Sequence, residues 1–191
     1  MKKNKIVYAG LAADILHEGH INILKHANKL GDVVVGLLTD NAIASYKKLP
    51  LLNYNQRQSV LKNIRYVKKV IPQDTRSYKN NLIKIRPDFV VHEDNKWKEG
   101  IQKDIRLEIK KLLSRWSGKL IEIKSSKIFK EKEIEKNELR IGSSPQERVS
   151  KLKRLMDSKS IVRILESHNA LTGLIIETLK IKRKKTFDEF D

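Results

Sequence analysis

The residues with the widest chemical reach lie in Asp14-Ile15-Leu16-His17-Glu18-Gly19-His20, where two imidazoles stand three positions apart with a glycine between them. At the opening of a helix, unpaired N–H groups and the positive end of the dipole favour an anion, and Gly19 lets the backbone approach it closely. Two imidazoles placed there can donate hydrogen bonds to phosphoryl oxygens as charge builds on them during a displacement. That is stabilisation without a covalent intermediate. Taken alone, such a pair reads as loop decoration or a partial metal site, so its placement has to decide. Zinc needs a further ligand, and only Asp14 offers itself, so no metal site is assigned to protein side chains.

The surrounding elements supply that placement. Ile6-Val7-Tyr8-Ala9 is a short apolar run ended by Gly10, and Val33-Val34-Val35-Gly36-Leu37-Leu38 reads as a strand buried on both faces. Between them Ile21, Leu24, Ala27 and Leu30 recur at helical spacing, and Gly31 stands where a C-terminal cap is wanted, so the segment is a βαβ unit. Asn55 is positioned to cap a helix through Val60, Leu61 and Ile64, followed by a strand over 67–71 that Pro72 stops. A helix over 80–85, a strand over 87–92, a helix over 101–113 and a strand over 119–123 complete the series. Five strands alternating with helices imply an α/β fold: a parallel five-stranded sheet with helices on both faces.

Composition narrows the partners. The 191 residues hold 41 Lys+Arg against 23 Asp+Glu, a net charge of +18, so an anion is expected. Aromatic content is only 6% and no RNA- or DNA-binding motif is present, which argues against nucleic acid. The chain has no cysteine, which excludes disulfides, thiolate nucleophiles and cysteine zinc sites and fits a reducing, cytoplasmic setting. The basic start Met1-Lys2-Lys3-Asn4-Lys5 precedes only a short apolar run broken by Gly10 and Asp14, so neither a signal peptide nor membrane insertion is expected.

At this point the sequence resembles the nucleotidyltransferase superfamily defined by H-x-G-H, and within it the cytidylyltransferases of small phospho-compounds. The resemblance is carried by His17-Glu18-Gly19-His20, Leu30-Gly31-Asp32, Gly36, Thr39-Asp40, Lys47-Lys48, Asn55-Gln56-Arg57, Ile64-Arg65-Tyr66-Val67, and His92-Glu93-Asp94 with Trp97, over about residues 5–123. It implies a Rossmann-like fold, CTP as nucleotide substrate, Mg²⁺ as cofactor and a homodimer. It also implies roles. His17 and His20 would contact the α-phosphate, and Lys47 or Lys48 would bridge the phosphates of both substrates, with Lys47 counted as catalytic and Lys48 as substrate-binding. Leu11, Ala12, Ala13, Gly19 and Asp94 would hold the nucleotide. Asp14, Asp40, Arg57, Arg65 and Trp97 would meet the acceptor; Arg57 and Arg65, eight residues apart on one expected helix, could both face an anion.

Two departures from that family pattern stand out. Leu11-Ala12-Ala13-Asp14 replaces Gly-x-Phe-Asp before the histidines. After the last strand, Lys124-Ser125-Ser126-Lys127-Ile128-Phe129-Lys130 replaces an Arg-Thr-x-Gly-Ile-Ser-Ser-Thr element that holds the triphosphate. The second departure motivates an alternative reading as a non-catalytic nucleotide-binding module.

Three stretches follow: a nucleotide-binding domain over 1–127, a charged linker over 128–145, and a segment over 146–191. In the last, helices are expected over 146–156 and 161–166 and a buried strand over 170–176, before a basic tail at 180–185. That segment resembles the opening of a phosphoenolpyruvate mutase through Arg148, Leu152, Leu155 and Ile164 to Ile175. Such mutases make carbon–phosphorus bonds, so the resemblance implies a phosphonate acceptor such as 2-aminoethylphosphonate. Glycerol phosphate, phosphocholine or phosphoethanolamine as acceptor, or ATP as nucleotide, are the alternatives within the same chemistry.

Overall fold

The computed structural model describes residues 4–93, 100–124, 144–159, 161–162, 164–178, 180–183 and 186–189. Its centre is a five-stranded parallel sheet in the order β3-β2-β1-β4-β5. The strands are β1 (Ile6–Leu11), β2 (Asp32–Leu38), β3 (Lys69–Gln73), β4 (Phe89–Glu93) and β5 (Lys119–Ile123). They alternate with α1 (Glu18–Asn28), α2 (Asp40–Ala44), α3 (Tyr54–Lys62), α4 (Lys79–Ile85) and α5 (Gly100–Leu113). The fold class expected from the sequence is the one observed.

Residues alternate between the two faces at the strand period of two. Val7, Leu11, Val33, Val35, Leu37, Val70 and Val91 join Ile23, Leu24 and Ala27 of α1 and Leu61 of α3 in one core. On the other face Tyr8 and Val90 meet Leu82 of α4 and Ile109, Leu112 and Leu113 of α5. Arg106 of α5 pairs through two nitrogens with Glu122 of β5, fastening that helix to the sheet edge.

Several boundaries differ from expectation for local reasons. Pro72 lies inside β3, which is tolerated because β3 is an edge strand and a missing N–H there breaks no interior ladder. The cap of α3 is Asn53, whose side chain and Gln56 satisfy each other's backbone N–H groups, and Asn55 lies within the helix. Asn63 closes α3, its side chain donating to Ser59 O, so Arg65 falls beyond the helix that carries Arg57. Helix α1 ends at Asn28 with Lys29 as its C-cap. Gly31 serves a close approach instead: a Cβ there would sit 2.1 Å from Lys5 O, the oxygen that accepts from Asp32 N. The short α2, unforeseen, is capped by Thr39, whose hydroxyl accepts from Ala42 N.

The carboxyl-terminal part carries α6 (Pro145–Ser158), α7 (Ala170–Thr178) and a two-stranded hairpin of β6 (Lys180–Arg183) and β7 (Thr186–Glu189). The expected buried strand at 170–176 is therefore a helix with Leu171, Leu174 and Ile175 exposed. The reason is local: Asn169 accepts from Thr172 N as an N-cap. The helix expected over 161–166 is also missing, the described residues there being irregular.

Gly36 makes room for the wholly buried Tyr8, because a Cβ at 36 would lie 1.7 Å from the Tyr8 hydroxyl, which bonds Gln73 and Asn81. Gly36→Ala is expected to cost about 3 kcal/mol through this overpacking, measured as a lowered midpoint in denaturant unfolding. Unchanged stability would show that the Tyr8 network can shift freely.

Candidate active site

Parallel α/β sheets present their ligand crevice at the carboxyl ends of the strands, where strand order reverses. Here that point lies between β1 and β4, and α1 opens directly above it. His17 is the N-cap of α1 and His20 occupies its third position. The His17 ring accepts at Nδ1 from Gly19 N at 3.1 Å, and the His20 ring accepts at Nδ1 from His17 N at 3.4 Å. This is a capping box built from imidazoles where serine and glutamate are usual. A neutral ring that accepts at Nδ1 carries its hydrogen on Nε2, so each cap also fixes a tautomer. The two ring centroids are 4.0 Å apart.

Burial lowers the His20 pKa to about 4, and the nearby His17 and Lys47 charges push in the same direction. His20 is therefore a neutral donor at any ordinary pH. His92, at the end of β4, is also lowered by burial; its Nδ1 donates to Glu93 O at 2.8 Å. Its ring lies 6.4 Å from that of Tyr78, whose hydroxyl is pushed far up by burial and donates to Gly10 O. Sequence reasoning passed over Tyr78, because an isolated tyrosine before a short helix carries no signal of its own.

Lys47 is half-buried and acts electrostatically on His20, whereas Lys48 is exposed. Both leave α2 on a loop whose far end is held by Asp14: its two carboxylate oxygens accept from Leu51 N at 3.0 Å and Leu52 N at 3.1 Å. Asp14 thus joins the β1–α1 loop to the lysine loop. Gly19 is buried and gives its N–H to His17, so it serves the cap. Leu11 and Ala13 are buried and Ala12 half-buried beneath the dyad, and Ala13 holds a left-handed φ of 49° that favours glycine.

Arg57 stands differently from its expected place at a substrate anion. It is 1% exposed, and its guanidinium donates to Leu52 O, Ala12 O, Leu38 O and the Asp40 carboxylate, the last at 2.6 Å. A cation so engaged has no face toward solvent. Asp40 is held by Arg57 and, at 3.5 Å, by Arg154 of α6, a residue the sequence did not single out. Arg65 lies on the surface, its Nη2 bonded to the Tyr66 hydroxyl at 2.5 Å. The expected pairing of Arg57 with Arg65 is not formed. Asp94 and Trp97 lie outside the described residues, as do Lys127 and Lys130.

Residues 8–131 match the profile of the cytidylyltransferase-like family. The chain belongs to that family. Among curated relatives of this cytidylyltransferase-like chain, the glycerol-3-phosphate cytidylyltransferase of Bacillus subtilis is 37% identical over 94 residues, covering 48% of this chain and 73% of that protein. An FAD synthase of Picrophilus torridus is 30% identical over 138 residues, covering 69% of this chain and 96% of that protein. Among these curated relatives, the share of their own length that is matched ranges from 23% to 96%. A solved structure described as the lipopolysaccharide core biosynthesis protein from Thermoplasma volcanium superposes with a TM-score of 0.55 and 23% identity. It covers 66% of this chain and 100% of that one, and shows the shared fold.

The depressed His20 pKa has a thermodynamic consequence. Between about 4 and 6.5 the unfolded chain binds a proton that the folded chain refuses, so stability falls as pH drops through that window and levels off below it. At most about 3 kcal/mol is at stake, at about 1.4 kcal/mol per unit. His20→Asn keeps an acceptor for His17 N and removes the titration. Unfolding curves at pH 7 and pH 4.5 should therefore differ less for this variant than for the parent chain; an equal difference would show that His20 titrates normally.

Proposed function

We propose that the chain moves CMP from CTP to a small phosphonate, such as 2-aminoethylphosphonate, with release of pyrophosphate. The observation that carries the transferase chemistry is the imidazole pair whose Nδ1 atoms face into the backbone of α1. With Nδ1 so used, each neutral ring carries its hydrogen on Nε2, the atom that in this proposal donates to the oxygens of an α-phosphate, where negative charge grows in the transition state. The acceptor oxygen attacks the α-phosphorus in line as the bond to pyrophosphate breaks. A phosphonate or phosphomonoester is already largely dianionic at neutral pH, so no side chain has to remove a proton. Lys47 supplies positive charge beside the dyad, with Lys48 following it on the same loop.

Magnesium would enter with the nucleotide substrate. Among the described residues no group of three His, Cys, Asp or Glu is placed to hold a metal ion. Asp14 and Asp40, two carboxylates at this end of the sheet, are already engaged by backbone N–H groups and by Arg57 and Arg154. These residues do not fit a protein-held ion. Magnesium accompanies a triphosphate readily because it is usually held largely by phosphates and water.

The phosphonate rests on the resemblance of residues 146–191 to the opening of a phosphoenolpyruvate mutase. The Bacillus subtilis relative favours a second reading, in which the acceptor is a phosphomonoester such as glycerol phosphate. FAD carries an adenine nucleotide, so the Picrophilus torridus relative brings ATP into consideration as donor. Asp94 and Trp97 belong to the proposal as nucleotide and acceptor contacts, and a homodimer is its assembly. No described helix is long and apolar enough to cross a membrane.

The test is pyrophosphate release with Mg²⁺, CTP or ATP, and a panel of phosphonates and phosphomonoesters. Turnover confined to CTP and phosphonates supports the proposal, and turnover only with glycerol phosphate or only with ATP replaces it. CTP binding without turnover on any acceptor would make the chain a nucleotide-binding module. His17→Ala with His20→Ala should lower kcat by at least about 10³-fold while the chain still folds; retention of most activity would remove the dyad from the mechanism.

A further inference from the structure

The lysine loop is fastened from a second side, by a residue beyond the family-matched region. Helix α6 packs on α2, the helix that leads into Lys47 and Lys48. From it, Arg154 donates through Nη1 to Leu51 O at 3.1 Å and through Nη2 to Pro50 O at 2.9 Å, and lies 3.5 Å from Asp40 Oδ2. Asp14 holds the same turn of chain through the N–H groups of Leu51 and Leu52. The peptide backbone at 50–52 is thus gripped by a carboxylate on its donors and a guanidinium on its acceptors. Arg154 is only about one-quarter exposed and its Nε is buried without a partner. Such a cation is costly to bury, so the three oxygens it meets must hold it firmly.

We propose that Arg154 is a positioning residue: by clamping Pro50 and Leu51 against Asp14, it holds the loop that sets Lys47 beside the His17–His20 pair. The carboxyl-terminal helix then completes the site from outside the nucleotide-binding domain. A lysine cannot replace the arginine fully, because a point charge cannot span two carbonyls and a carboxylate as the planar fork does. The catalytic part of this inference rests on Lys47 acting on the substrates as proposed above; the clamp itself does not.

The experiment compares the full chain with Arg154→Ala and Arg154→Lys by amide hydrogen exchange and by kinetics. Arg154→Ala is expected to speed exchange at Leu51 and Leu52 by at least 10-fold relative to amides of β1 and β2, with Arg154→Lys between. It should lower kcat/KM by about 10-fold or more, with recovery in millimolar guanidinium, and the loss should shrink when Lys47 is already alanine. If the chain binds CTP without turnover, weakened CTP binding by Arg154→Ala takes the place of the kinetic loss. Unchanged exchange at Leu51 and Leu52 overturns the clamp. Faster exchange with unchanged turnover and CTP binding, or an equal loss in the Lys47→Ala background, overturns the positioning role. Absence of turnover in the parent chain counts against the transferase proposal alone, because the exchange rates still decide the clamp.

Discussion

The Arg57 guanidinium is the constraint on which the site end of the molecule depends. It collects the carbonyls of Ala12, Leu38 and Leu52 and the carboxylate of Asp40, which belong to the ends of β1 and β2, the lysine loop and the start of α2. Ala12, Leu38 and Leu52 each present a carbonyl that needs a donor where regular structure ends, and Asp40 adds a carboxylate. One buried cation answers all of them, at a desolvation cost repaid only because nearly every donor finds an oxygen. Loss of the arginine would leave a cluster of inward-facing oxygens and a half-buried carboxylate together.

From that knot the geometry spreads outward. Fixing the end of β1 fixes Ala13 in its left-handed turn and hence the direction of Asp14. Asp14 then reaches the lysine loop, and the chain continuing from Asp14 delivers His17 to the opening of α1. The histidines cap the helix with the same atoms that set their tautomers, so the fold and the donor geometry of the site are a single arrangement. If the dyad acts as proposed, a substitution that restores the cap without an Nε2–H would keep the helix and lose the chemistry.

The sheet, its five strands and all the helices between them but the short α2 were legible because each follows the apolar periodicity of a buried parallel strand or an amphipathic helix. The position of the histidines above β1 was legible too, since strand, loop and helix occur in that order. What could not be read was the use of polar groups whose partners are distant in sequence. Arg57 looks like an anion ligand on a helix surface until the chain brings Ala12 and Leu38 to it, 45 and 19 residues away. Arg154 meets Leu51 across 103 residues, with no periodicity to announce it. Leu171, Leu174 and Ile175 resemble a strand by composition, and only the Asn169 cap makes them a helix.

Part of the positive charge of this chain, +18 net, is gathered at the site. Lys47, His17 and His20 are crowded at the positive end of a helix, and their mutual repulsion helps to keep His20 unprotonated. An unliganded site of this kind is electrostatically frustrated. In the proposed function an arriving phosphate would relieve that frustration, accepting from the neutral Nε2–H and screening the ammonium at once. The favourable term is largest where negative charge is most concentrated, which in a displacement at phosphorus is the transition state. In the proposed reaction, positive charge on Lys47 beside neutral donors would therefore favour the reacting phosphoryl group over a bystander anion, and would do so only while the lysine loop is held in place.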